Sequence, residues 1–164
     1  MQGYARKVQR SKWVGIAGLK AGEFPADALR NLSTDKNTLS FWLVDPDRVD
    51  WWSDAALALA STRDSLDSIE VIFVEQGVIE TLSVSVSSTP GNVPVPDLID
   101  QHVDFELLDL QRLCGIACAV GNGFNLKWRK LSKNEVKCLI GAAISANRIE
   151  LDKLKPKLRR EFTP

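Results

Sequence analysis

The hydrophobic pattern of this chain changes period several times, and each change predicts an element. Leu39-Ser40-Phe41-Trp42-Leu43-Val44 is a nearly continuous apolar run of strand-forming residues, the pattern of a strand covered on both faces. Ala55 to Ala60 is compact and apolar and predicts a helix from about Ser53 to Arg63, with Asp50 or Ser53 placed to cap its first N–H groups. Ile69 to Val74 repeats the buried-strand pattern. Two such strands joined through a helix predict a βαβ crossover. After Gly77, the residues Leu82, Val84 and Val86 alternate with Thr81, Ser83, Ser85 and Ser87, which predicts a half-exposed third strand. The expected sheet is small and mixed, with strands near 39–44, 69–75 and 79–87.

Residues 1–12 carry Arg6, Lys7, Arg10 and Lys12 among polar neighbours and read as a solvated basic arm. Trp13 to Leu19 is apolar but broken by glycine, an edge strand or a packed loop. Pro25 suits the first turn of a short helix from Ala26 to Leu32. Three prolines at positions 90, 94 and 96 make residues 89–96 a stiff connector.

Beyond the connector the period becomes helical. Leu107, Leu110, Leu113, Cys114, Ala117 and Val120 form one stripe, and Gly121-Asn122-Gly123 has the composition of a helix stop. Ser132-Lys133-Asn134-Glu135 fits a capping box and opens a helix lined by Val136, Leu139, Ile140, Ala143 and Ile144. Leu154, Leu158 and Phe162 mark a last helical segment, which Pro156 allows if the helix begins there. The predicted class is therefore α+β: a sheet-containing half (13–88) with one βαβ crossover, followed by a helical C-terminal half (97–164). At 164 residues, the expectation is one globular domain.

Composition changes this picture little. Hydrophobic residues at 45% and charged residues at 26% are ordinary for a globular chain, and no apolar run is long enough to cross a bilayer. With no signal-peptide core after the basic start, the expected compartment is the cytoplasm. Cys114, Cys118 and Cys138, an odd number among apolar neighbours, read as reduced, buried thiols.

Charge changes it more. The formal net charge is zero, yet residues 1–42 hold seven Lys/Arg against three Asp/Glu, residues 43–111 two against fourteen, and residues 112–164 twelve against four. Such segregation either folds into surfaces that attract each other or leaves an acidic and a basic face for partners.

Three functional readings follow. The favoured one is a non-catalytic interaction protein, of the inhibitor or immunity type. It would take a basic protein partner on an acidic, tryptophan-bearing loop formed by Asp45, Asp47, Asp50, Trp51, Trp52 and Asp54. No cofactor is expected on that reading. The alternative is a Mg²⁺-dependent enzyme acting on phosphate esters or nucleic acid, with Asp45 and Asp47 after the first buried strand and Glu75 after the second converging on the ion. The third is nucleic-acid binding through the basic arm and the C-terminal cations Lys127, Arg129, Lys130, Lys157, Arg159 and Arg160, with Trp128 as a stacking residue. The lone histidine, His102, lies between Asp100 and Asp104 and supports nucleophilic catalysis poorly.

Overall fold

In the computed structural model, residues 2–13 and 25–163 are described, so most of the apolar stretch from Trp13 to Leu19 lies outside the described residues. Six strands form one sheet: β1 (Gly3–Val8), β2 (Leu39–Val44), β3 (Ile69–Glu75), β4 (Ser85–Ser88), β5 (His102–Glu106) and β6 (Trp128–Leu131). Their spatial order is β4-β5-β2-β1-β3-β6, and every neighbouring pair is antiparallel. The helices are α1 (Ser53–Ser61), α2 (Gln76–Thr81), α3 (Leu110–Leu126), α4 (Lys133–Ser145) and α5 (Pro156–Arg159), with 3-10 segments at Ala26–Leu32 and Pro96–Gln101.

The α+β class is the one the hydrophobic pattern predicts, and the β2–α1–β3 crossover is present. Both of its strands run antiparallel to β1, hence parallel to each other, but β1 lies between them. This strand is the main departure from expectation, because residues 1–12 read as an arm. Tyr4, Ala5 and Val8 are buried, and six residues of β1 pair with β3. The adjacent cations Arg6 and Lys7 hide that strand from any period-two pattern.

The second departure is at 79–87. Residues Gln76–Thr81 turn helical directly after β3, anchored by buried Ile79 and by Gln76 donating to Glu80 at 2.8 Å, and the strand is confined to Ser85–Ser88. The third is in the C-terminal half, which is not purely helical: it contributes β5 and β6 to the sheet.

Alternation along the strands builds two cores. Ala5, Trp42, Val44, Val71 and Phe73 face α1, α4 and α5, whereas Tyr4, Val8, Phe41, Ile72, Val74 and Phe105 face α3 and the 26–32 turn. On the second face, Phe41 stacks on Phe105 at 4.1 Å and Tyr4 meets Phe105 edge-on at 4.9 Å. Each such ring pair adds about 0.5–1.5 kcal/mol to the burial of its surface.

The capping box forms as expected: Ser132 Oγ accepts from the Glu135 N–H, and the Glu135 carboxylate accepts from the Ser132 N–H at 2.7 Å. Helix α3 does not stop at Gly121-Asn122-Gly123 but runs to Leu126. There the glycine serves close packing, since a Cβ on Gly123 would sit 2.6 Å from the Phe73 carbonyl oxygen. The cysteines are a further correction: all three are exposed. The buried stripe of α3 is Ile116, Ala117, Ala119, Val120 and Gly123, which turns Cys114 and Cys118 outward.

Candidate functional site

The acidic loop lies where β2 ends, and its backbone is wound into consecutive turns. Asp45 Oδ1 accepts from the Asp47 N–H at 3.0 Å, Arg48 O accepts from the Trp51 N–H, and Asp50 O accepts from the Ser53 N–H at 2.8 Å. The first of these, side chain to backbone, is what makes aspartate a turn residue. Lys127, between α3 and β6, donates its ammonium to the Pro46 carbonyl and ties the loop to the sheet.

The carboxylates of the loop are largely answered from within. Arg48 grips both oxygens of Asp50 at 2.9 and 3.0 Å and reaches Asp54 at 3.2 Å. Arg148, which follows α4, then joins Asp54 at 3.0 Å to Asp97 at 2.6 Å. The result is an alternating chain, Asp50–Arg48–Asp54–Arg148–Asp97. The Arg48 hydrogen bonds hold the Asp50 carboxyl below its ordinary range, and the Asp97 bond leads in raising the Arg148 guanidinium. The segregated charges of the sequence thus fold partly onto one another. Lys130–Glu70 and Lys155–Asp64 repeat the theme elsewhere.

Trp51 and Trp52 are half-buried against the core beneath α1. Trp51 meets Phe73 edge-on at 5.8 Å, and the Arg129 guanidinium lies 5.3 Å from the Trp52 ring. Neither ring stands free in solvent. The exposed apolar side chain of the loop is Val49, 98% exposed at its apex between Arg48 and Asp50. Beside the loop is a recess of about 270 Å³ lined by Gln2, Leu43, Asp45, Arg48, Trp51 and Asp54. The sequence signal for this exposure is a branched apolar residue set inside an acidic turn.

The Mg²⁺ arrangement does not form. Gly3 pairs with Val44 on one side and Glu75 on the other. Two inter-strand spacings, about 10 Å, therefore separate the ends from which Asp45, Asp47 and Glu75 project. Among the described residues there is no group of three His, Cys, Asp or Glu side chains able to share a metal ion.

The basic C-terminal residues are likewise engaged. Lys127 lies over Phe73 at 5.7 Å, Arg129 pairs with Glu135 at 2.6 Å, and Lys130 pairs with Glu70 at 3.3 Å. The face of Trp128 is covered by Arg10 at 4.5 Å, so that ring is no open stacking platform. Lys157, Arg159 and Arg160 belong to a separate element, α5 and its end.

His102 joins a hydrogen-bonded array across β4, β5 and β2. Its Nδ1 lies 2.8 Å from Thr89 Oγ1 and 3.2 Å from the Thr89 carbonyl, which assigns the proton to Nδ1 because a carbonyl accepts. Thr89 Oγ1 then donates to Asp104 at 2.9 Å, and Ser40 Oγ donates to the other Asp104 oxygen at 2.7 Å. With its proton given to Asp104, the Thr89 hydroxyl is not set up as a nucleophile for His102. The array ties a polar sheet surface together.

No family model matches the chain, and neither does any curated protein or solved structure. Among the described residues no helix is long and apolar enough to cross a membrane.

Proposed function

We propose that this chain is a non-catalytic interaction protein that engages a basic protein partner through the 45–54 loop. The observation that carries the reading is Val49, an apolar side chain 98% exposed on a loop that backbone turns and ion pairs hold in place. Single exposed apolar residues are common on protein surfaces. This one differs in its setting. A pre-ordered loop loses little conformational entropy on binding, so an apolar apex on it is a cheap anchor. The recess containing Trp51 lies alongside to receive a partner side chain.

The sign of the partner follows from what the loop leaves unanswered. The chain from Asp50 to Asp97 contains three carboxylates and two guanidiniums. Asp45 and Glu75 have no cationic partner among the described residues. This excess steers a basic surface toward the loop and makes association salt-dependent.

The test uses the immobilised protein against a lysate of its native host, followed by direct titration of each purified binder. Val49→Asp is the comparison variant; Trp51 and Trp52 are unsuited because they pack against the core. The reading predicts a basic protein whose affinity falls about tenfold or more in Val49→Asp, as for an interface anchor. Binders of unchanged affinity for the variant overturn it.

A further inference from the structure

At the end of β1 remote from the acidic loop, the sheet is split. β1 pairs with β3 over all six residues, but with β2 only from Gly3 to Ala5, so Arg6, Lys7 and Val8 diverge from Ser40 and Leu39. The fork opens into a cavity of about 360 Å³ lined by Arg6, Lys7, Arg30, Asn31, Ser40 and Trp42, among others. Three of its lining residues are cations and none is a carboxylate.

Arg6 is the centre of this fork. Its Nε–H donates to the Asn31 carbonyl at 3.0 Å and Nη1 donates to the Ser40 carbonyl at 2.5 Å. A guanidinium has five N–H groups, so three remain without a partner among the described residues. The two acceptors are neutral, and no anion offsets the charge. Burial lowers the guanidinium from its ordinary value to about 10, with no acid pulling the other way.

Two acids on the strands that flank the fork are occupied elsewhere. Asp104 accepts from Ser40 and Thr89, while Glu70 accepts from the Arg10 N–H and pairs with Lys130. Lys7 and Arg30 are exposed and form no ion pair among the described residues; the Asp67 carboxylate acts on Lys7 from a distance but is itself paired with Arg63 at 3.4 Å. Asn31 holds the walls in place: its Oδ1 accepts from the Gln9 N–H at 3.0 Å and from Trp13 Nε1 at 2.8 Å. By contrast, Arg48, Arg63, Arg112, Arg129 and Arg148 each pair with a carboxylate.

We infer that the β1–β2 fork is a binding site for the phosphate group of a small organic phosphate, with Arg6 at its base and Lys7 and Arg30 at its rim. A dianionic phosphate suits three cations better than a monocarboxylate does, and its oxygens accept the N–H groups that the protein leaves unused. The site is independent of the 45–54 loop and requires no partner there.

The test is a ¹H–¹⁵N titration of the full chain with inorganic phosphate, adenosine monophosphate and acetate, at ionic strength held constant with NaCl. Saturable shifts of the Arg6 Nε–H and of the Lys7, Asn31 and Ser40 amides are expected with both phosphates and weaker ones with acetate. Because Arg6 pins the fork, Arg6→Gln is paired with the surface variants Lys7→Gln and Arg30→Gln. Each surface variant is expected to weaken phosphate binding about three- to tenfold, the value of one charge-assisted contact. Three results each overturn the proposal: no saturable shift, a response as large with acetate as with phosphate, or affinity unchanged in both surface variants.

Discussion

The Phe73 carbonyl oxygen stands 2.6 Å from the point where a side chain on Gly123 would begin. This contact sets the distance between α3 and β3 and hence the depth of the aromatic core beneath them. Gly123→Ala adds helix propensity, worth about 1 kcal/mol in its favour. It also forces the helix away from the strand, and the overpacking cost of about 1–3 kcal/mol exceeds that gain. Urea denaturation is expected to show net destabilisation, whereas Gly121→Ala, with open space around its Cβ, is expected to be neutral or stabilising.

Tyr4 is the only tyrosine in the chain, so phenolate absorbance reports on it alone. Burial, with a smaller contribution from Glu80, raises its pKa above the ordinary 10.0. The neutral phenol is the form the fold favours. Its contribution is complete below pH 10 and is lost as pH rises through the folded value. A spectrophotometric titration is expected to give a midpoint above that of free tyrosine, returning to the ordinary value in denaturant.

All three cysteines are expected to react with a thiol reagent such as Ellman's in the native protein, without denaturant. Delayed reaction of Cys114 or Cys118 until unfolding would contradict the outward face assigned to them on α3.

Arg148 links Asp54 to Asp97 at half-exposed sites. A double-mutant cycle of Arg148→Ala with Asp97→Ala is expected to give a coupling of no more than about 1 kcal/mol, as for other surface pairs. The coupling should shrink further in molar salt. A larger, salt-insensitive value would mean that the pair is shielded from solvent.

The elements most legible in the sequence are those whose side chains all have the same task. Buried on both faces, β2 and β3 read as continuous apolar runs, and α4 announces itself through Ser132 and Glu135. Where one residue serves two purposes, the pattern fails. Arg6 and Lys7 interrupt β1 because that strand is both sheet centre and wall of a cationic cavity. Gly121-Asn122-Gly123 resembles a stop because glycine permits both chain reversal and close helix–strand contact, and only the partner decides which. Cys114 belongs by spacing to the α3 stripe, yet that stripe is broader than the strip the sheet covers. The acidic loop stands out in the sequence by its charge, but its exposed apex does not. Val49 is inconspicuous beside two tryptophans, yet those rings turn toward Phe73 and Arg129.

The central position of β1 has a consequence for how the chain reaches this fold. Residues 3–8 find one neighbour near residue 42 and the other near residue 73, and neither pairing is local. During synthesis β2 and its helix emerge well before β3, so the strand at the heart of the sheet waits half-paired until Ile69 to Glu75 has left the ribosome. Non-local pairing of this kind slows folding and leaves strand edges exposed in the interval. The protein is therefore expected to be most vulnerable to aggregation while it is being made, and least so once β3 has closed over the waiting strand.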